Sequence, residues 1–398
     1  MNSETKPHSW RNIPTAIWIL GFVSMLMDIS SELIHSLLPL FMVTTLGAST
    51  LMVGIIEGMA EATALIVKVF SGVISDYIGK RKWLAVTGYA LGAFTKPVFA
   101  LSSSLGLVLT ARLTDRVGKG LRGAPRDALV ADITPPELRG AAFGLRQSLD
   151  TVGAFLGPLL AVGLMLLWAN NFRAVFWVAV IPGFLAVLLL AVGIKEPEVA
   201  ATTQRKNPLV MSNLRRLDHR YWWIVAIGGI FTLARFSEAF LVLRAKDSGV
   251  PLAYIPLVMV LMNVIYALSA YPFGHLSDHV SRYKLLGYGL LMLFAADIAL
   301  AINDHWSMLL LGIVLWGLHM GLTQGILAAL VADTAPADLR GTAFGFFNLA
   351  SGIVMLLASV IAGWLWEQFG ASATFFAGAM FCATALMGLL IKNTADSI

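Results

Sequence analysis

Five cations recur along one stretch of the chain: Arg112, Arg116, Lys119, Arg122 and Arg126. Their spacings of 4, 3, 3 and 4 place all five on one face of a helix. Acids recur at helical spacing nearby. Asp28, Glu32 and His35 fall at i, i+4 and i+7, Glu57 and Glu61 at i and i+4, Arg146 and Asp150 at i and i+4, and Asp115 and Asp127 lie within the cationic stretch itself. A carboxylate beside an arginine exchanges its proton readily when its surroundings change, and an arginine freed from its acid attracts an anion. Proton coupling and the binding of a charged solute are therefore one chemistry open to this set. Divalent-metal binding is another. Asp28, Glu32 and His35, facing Glu57 and Glu61, offer oxygen and nitrogen ligands suited to a nickel-like ion, although the neighbouring cations oppose it. A third reading is a neutralised internal network that fixes packing. Eight cations (Lys68, Lys96, Arg112, Arg116, Lys119, Arg122, Arg126, Arg146) face seven acids in this half of the chain, a near balance that favours extensive pairing.

The elements that must position these residues are long and apolar. The 398 residues are 58% hydrophobic and 13% charged, with a mean hydropathy of +0.79. Soluble domains carry about 25% charged residues, so most of this chain is expected in lipid. Spans of about 20 residues are needed to cross a membrane. Twelve are expected, near 14–41, 48–71, 83–101, 105–131, 141–168 and 173–194, then 221–243, 251–276, 285–303, 307–332, 341–366 and 371–391. The span 105–131 carries seven charges and fails on hydropathy alone. It is read as a span because its counterpart 307–332 is apolar and ends in the same Ala-Leu-Val-Ala-Asp.

That counterpart exists because the chain repeats. Gly72-Val-Ile-Ser-Asp76-Tyr-Ile-Gly79-Lys80-Arg81 returns as Gly274-His-Leu-Ser-Asp278-His-Val-Ser281-Arg282. Ala128 to Gly144 returns as Ala329 to Gly345, with 12 of 17 positions identical at an offset of 201. The expected organisation is a six-helix half over 1–194, a cytoplasmic linker over 195–220 and a second six-helix half over 221–398. Two parallel repeats are a plan used by membrane transporters. Lys and Arg outside the spans divide sixteen to three between the two faces, which puts both termini in the cytoplasm. Trp83, Trp168, Trp222, Trp306 and Trp364 stand near span ends, where interfacial anchoring is expected.

The Gly-x-x-x-Asp-x-x-Gly-Lys-Arg loop between spans 2 and 3 resembles the signature of the major facilitator superfamily, and the resemblance covers essentially the whole chain. It implies an all-α integral membrane protein of twelve helices in two pseudo-symmetric halves. It implies a conformational latch at Gly72, Asp76, Gly79, Lys80 and Arg81, echoed by Gly274, Asp278 and Arg282, with Ser281 replacing the second copy's glycine. Gly153-Ala-Phe-Leu-Gly157-Pro158 resembles a motif of family exporters that exchange substrate for protons; Ala161 stands where that pattern continues with glycine. Arg112 matches the family's proton-coupling arginine, and Arg116 is the alternative, because Asp115 and Arg116 interrupt the usual pattern.

The implied function is secondary transport of a small organic solute coupled to protons, in the direction of export. The alternatives are export of a nickel-like divalent metal and proton-coupled uptake of an anionic solute. Candidate proton and substrate residues are Asp28, Glu32, His35, Glu57, Glu61, Arg112, Asp115, Arg116, Arg146 and Asp150. Expected partners are solute, protons and the lipid bilayer, with no cofactor, no resident metal and no nucleic acid, in a monomer of the bacterial inner membrane. The chain has no nucleotide-binding Gly-x-x-x-x-Gly-Lys-Ser/Thr loop, and no enzymatic motif stands out. The sparser second half, with Arg235, Glu238, Asp297 and His319, is expected to add hydrogen bonds and aromatic or methionine surface.

Overall fold

The computed structural model describes residues 13–78, 80–195, 216–276, 280–302, 305–336 and 339–395. Gly79, Asp278, the side chain of Asp76 and most of the expected linker lie outside the described residues.

The first half comprises α1 (Thr15–His35), α2 (Leu38–Thr44), α3 (Thr50–Ile78), α4 (Arg81–Leu101), α5 (Leu105–Ile133), α6 (Arg139–Leu167) and α7 (Phe172–Gly193). The second comprises α8 (His219–Ala234), α9 (Ala239–Asp247), α10 (Leu257–Leu276), α11 (Arg282–Ile302), α12 (Trp306–Thr334), α13 (Arg340–Phe369) and α14 (Ala371–Ala395). Taking α1 with α2 and α8 with α9 as single interrupted spans gives twelve crossings. Eleven are apolar enough to be recognised by hydropathy, and α5 is the twelfth. The five tryptophans expected at the interface are all exposed on the protein surface.

A helix as charged as α5 is stable here because its charged face never meets lipid. Gly118 lies against Gly88 and Gly92 of α4, where a Cβ would come within 2.6 Å of the Gly88 carbonyl oxygen. Gly120 lies against Ala64 and Val67 of α3, with the same restriction at 2.7 Å. These two close approaches lock α5 between α3 and α4. Arg112, Asp115, Arg116 and Arg122 are buried as a result.

Both interrupted spans break at repeat-matched places. The first breaks at Ser36–Leu37, just before Pro39, which lacks the N–H that would continue the helix. The second breaks at Arg235–Glu238, where Arg235 leaves helical geometry (φ −105°, ψ 70°). There the Ser237 amide donates to Ser359 Oγ of α13 at 3.3 Å.

The halves meet mainly along α3 with α13 and α6 with α10. Gly58 lies against Leu356 and Ser359, and Gly363 against Leu51. Thr50 Oγ1 donates to the Gly363 carbonyl at 3.3 Å, the Leu51 amide to Glu367 at 3.2 Å and Asn263 to the Ala154 carbonyl at 3.4 Å. These contacts gather toward the end of the bundle opposite the repeated signatures. At the signature end of α6, a Cβ on Gly140 or Gly144 would meet no atom within 4 Å.

Candidate functional site

Between the halves lies a cavity of about 260 Å³, near the lower end of the ~300–1,000 Å³ usual for small-molecule sites. α1 contributes Glu32 and His35, α3 Glu57 and Glu61, and α5 Arg112, Arg116 and Lys119. The second half contributes Arg235 to Glu238 from the break between α8 and α9, with Met259 and Met355. Four cations and four acids thus line a space formed by both halves. The second half adds charge as well as the expected methionine and aromatic surface.

The ionic contacts are specific. Arg112 Nη2 donates to Glu57 Oε2 at 2.5 Å, and both side chains are nearly inaccessible. Arg116 Nη2 lies 3.2 Å from Glu61 Oε1, with Arg112 a further 3.9 Å contact of the same oxygen. His35 stands between two acids, with Nδ1 3.6 Å from Glu32 and Nε2 3.4 Å from Asp115. The second contact lacks hydrogen-bond alignment, and Nδ1 also lies 3.4 Å from Arg116 Nη2. Behind it, the fully buried Lys96 donates to Asp115 at 2.7 Å and to Ser31 at 3.1 Å. Arg235 pairs with Glu238 across the helix break at 3.6 Å. Glu32, His35, Asp115 and Lys96 therefore form a chain of titratable groups from cavity to interior.

The ten residues expected as one site separate into two groups. Glu32, His35, Glu57, Glu61, Arg112 and Arg116 line the cavity, with Asp115 immediately behind. Asp28, Arg146 and Asp150 do not line it. Asp28 pairs with Arg122 at 3.8 Å, and Asp150 lies 3.5 Å from Arg146 and 3.7 Å from Arg126. Arg122 also covers the Tyr89 ring at 4.7 Å, and Arg126 donates to Ser24. The reason is register: Asp28 is one helical turn from Glu32, toward the signature end, and meets the next turn of α5.

The Gly153–Gly157 motif is where α6 touches α1. A Cβ on Gly153 would come within 2.9 Å of Asp28 Cβ, and one on Gly157 within 2.8 Å of Glu32 Cβ. The motif thereby sets the height of both acids. Each repeated signature contributes a clamp within its own half: Arg81 binds Asp132 and Arg282 binds Asp333, joining the two sequence repeats of that half. Sequence reasoning did not assign Asp132 or Asp333 a partner. Their signal was the repeated Ala-Leu-Val-Ala-Asp. His319 donates to or accepts from no cavity group; its Nδ1 lies 2.9 Å from the Gly289 carbonyl. Among the described residues, no three His, Cys, Asp or Glu side chains converge to hold a metal ion, because the acids face cations instead.

Comparison with known proteins agrees with this architecture. The family model described as Major Facilitator Superfamily matches residues 20–243 and 232–397. An uncharacterized MFS-type transporter of Methanocaldococcus jannaschii is 33% identical, over 98% of this chain and 97% of its own length. The multidrug resistance protein MdtH of Cronobacter sakazakii is 26% identical, over 86% and 85% of the two chains. An Asp-to-Ala variant of the nucleoside transporter NupG superposes with a TM-score of 0.80 at 13% identity, covering 94% of this chain and 99% of that one, a likeness of fold. With the family model spanning nearly all of it and two interrupted halves around a shared cavity, this chain belongs to the major facilitator superfamily.

Proposed function

We propose that the protein is a proton-coupled secondary transporter of a small, charged organic solute, working by rocking of the halves 1–194 and 221–398 around the cavity. The observation that carries this reading is the composition of the cavity wall. Eight charged side chains and His35 surround about 260 Å³, which suits a compact polar solute rather than a bulky apolar one. Protons are carried by Glu57, Glu61 and the Glu32–His35–Asp115 chain, and Arg112 and Arg116 set when those acids release them. Export by exchange is supported by the Gly153–Pro158 motif and by the similarity to a multidrug resistance protein. The charge distribution supports cytoplasmic termini in an inner membrane.

The test is flux in proteoliposomes loaded with a pH-sensitive dye, against a panel of organic anions, zwitterions, organic cations and divalent metals. A solute-triggered pH change that disappears in Glu57→Gln and in His35→Ala is the expected result. Solute movement without any pH change overturns the coupling. A response confined to divalent metals would return the nickel-like alternative, which the pairing of Glu57 and Glu61 with guanidinium groups weighs against.

A further inference from the structure

We propose that Lys119 is the docking point for a carboxylate of the transported solute, so that the cargo is a small organic monoanion. This deepens the reading of the cavity as the translocation site and rests on it. Of the four cations lining the cavity, three are engaged: Arg112 with Glu57, Arg116 with Glu61 and Arg235 with Glu238. The fourth acid, Glu32, is turned toward His35. Lys119 lines the same cavity, is exposed to it, and has no carboxylate within 4.0 Å among the described residues. Lys119 is thus the one cation of this wall without a close ion pair among the described residues.

Its position favours a ligand over a solvated surface charge. Lys119 follows Arg116 by three residues on the buried face of α5, so it stands one turn nearer the signature end than the paired guanidinium layer. The next turn is closed by Arg122 against Asp28. An anion reaching the cavity from the signature end meets Lys119 before the paired guanidinium layer. Deeper in, Arg112 keeps Nε and Nη1, and Arg116 keeps Nε, without hydrogen-bond acceptors, although both side chains are more than nine-tenths buried. A donor left in that state gains from an oxygen brought within reach. The ammonium thus anchors the carboxylate, and a small shift of either guanidinium adds a second donor. A dianion is disfavoured against a monoanion, because its second charge would face Glu32 and Glu61.

The experiment is binding of lactate and benzoate, each with its amide, together with inorganic phosphate and tetramethylammonium, to the full-length protein in detergent by titration calorimetry. The expected result is binding of at least one carboxylate and not of its amide, weakened about tenfold or more in Lys119→Gln and within about threefold of wild type in Lys119→Arg. Melting temperature should not change in either variant. A carboxylate bound equally well by Lys119→Gln overturns the proposal, as does a panel in which no carboxylate binds or only the amides, phosphate or the cation do. Met355→Trp, which fills the cavity without altering its charge, separates the two readings. Binding lost in Met355→Trp but unchanged in Lys119→Gln keeps the cavity as the site and removes Lys119 from it. Binding unchanged in both removes the cavity as well.

Discussion

Helix α5 and its counterpart α12 occupy the same place in the two halves and have opposite interiors. At the repeat offset of 201, Arg112, Asp115, Arg116, Lys119 and Arg122 correspond to Ile313, Trp316, Gly317, Met320 and Thr323. Lys96, which holds Asp115, corresponds to Asp297. Where the first half packs ion pairs, the second packs rings. Phe236, Phe240, Trp316, Trp366 and Phe375 stack with centroids 5.5 to 6.1 Å apart. The second half is thus an internal control. It shows six spans closing around an apolar core with no buried charge pair among the described residues. Such pairs are commonly no more stabilising than well-packed apolar side chains of similar volume. The charges of α5 are then best explained by what they do, not by what they hold together.

The sharpest way to break this contrast is to remove one member of a buried pair. Arg112→Ala leaves Glu57 buried without its partner, so we expect a loss of about 3–5 kcal/mol and at least a hundredfold loss of flux, read by melting in detergent and by liposome assay. Lys96→Met should cost a little less, about 3 kcal/mol, because Asp115 retains His35; the same assays should show flux falling with stability. The repeat-matched Asp297→Asn should behave differently. Asp297 is fully buried, and neither of its oxygens has a hydrogen-bond partner among the described residues. Loss of its carboxyl should change stability by no more than about 1 kcal/mol and leave flux intact. A severe effect there would show that the second half also depends on a charge. The smallest difference should separate the two clamps. Arg81–Asp132 is more enclosed than Arg282–Asp333, with side chains 12% and 25% exposed against 33% and 56%. Arg81→Ala should cost about 1 kcal/mol and Arg282→Ala less than that, as a difference in melting temperature between the two variants.

Much of this plan was legible in the residues. The repeat identified α5 as a span despite seven charges, and i, i+4 spacing grouped the acids by helix face. What the residues did not reveal was how one helix is rotated and raised against the next. Asp28 and Glu32 share a face of α1, yet one meets Arg122 and the other lines the cavity, because a single turn separates two layers of α5. The partner of Lys96, nineteen residues away on the adjacent helix, followed only from the Gly88–Gly118 contact that draws α4 onto α5. The Gly153–Gly157 motif was readable as close packing, but that its contacts are the two acids of α1 depends on the register of α6 against α1. Arg235 and Glu238 were visible as charges in an apolar span. The helix break that turns both toward the cavity has no proline to announce it.

Ser359 joins two things that a transporter must keep in step. Its hydroxyl accepts the Ser237 amide in the break that presents Arg235 and Glu238 to the cavity. Its Cβ is also the surface against which Gly58 of the opposite half rests. Occupancy of the cavity and contact between the halves are therefore separated by one side chain, with no relay of intervening residues to lose the signal. Without that hydroxyl, as in Ser359→Ala, the two events would run independently. The consequence would be slippage: halves that exchange with nothing aboard.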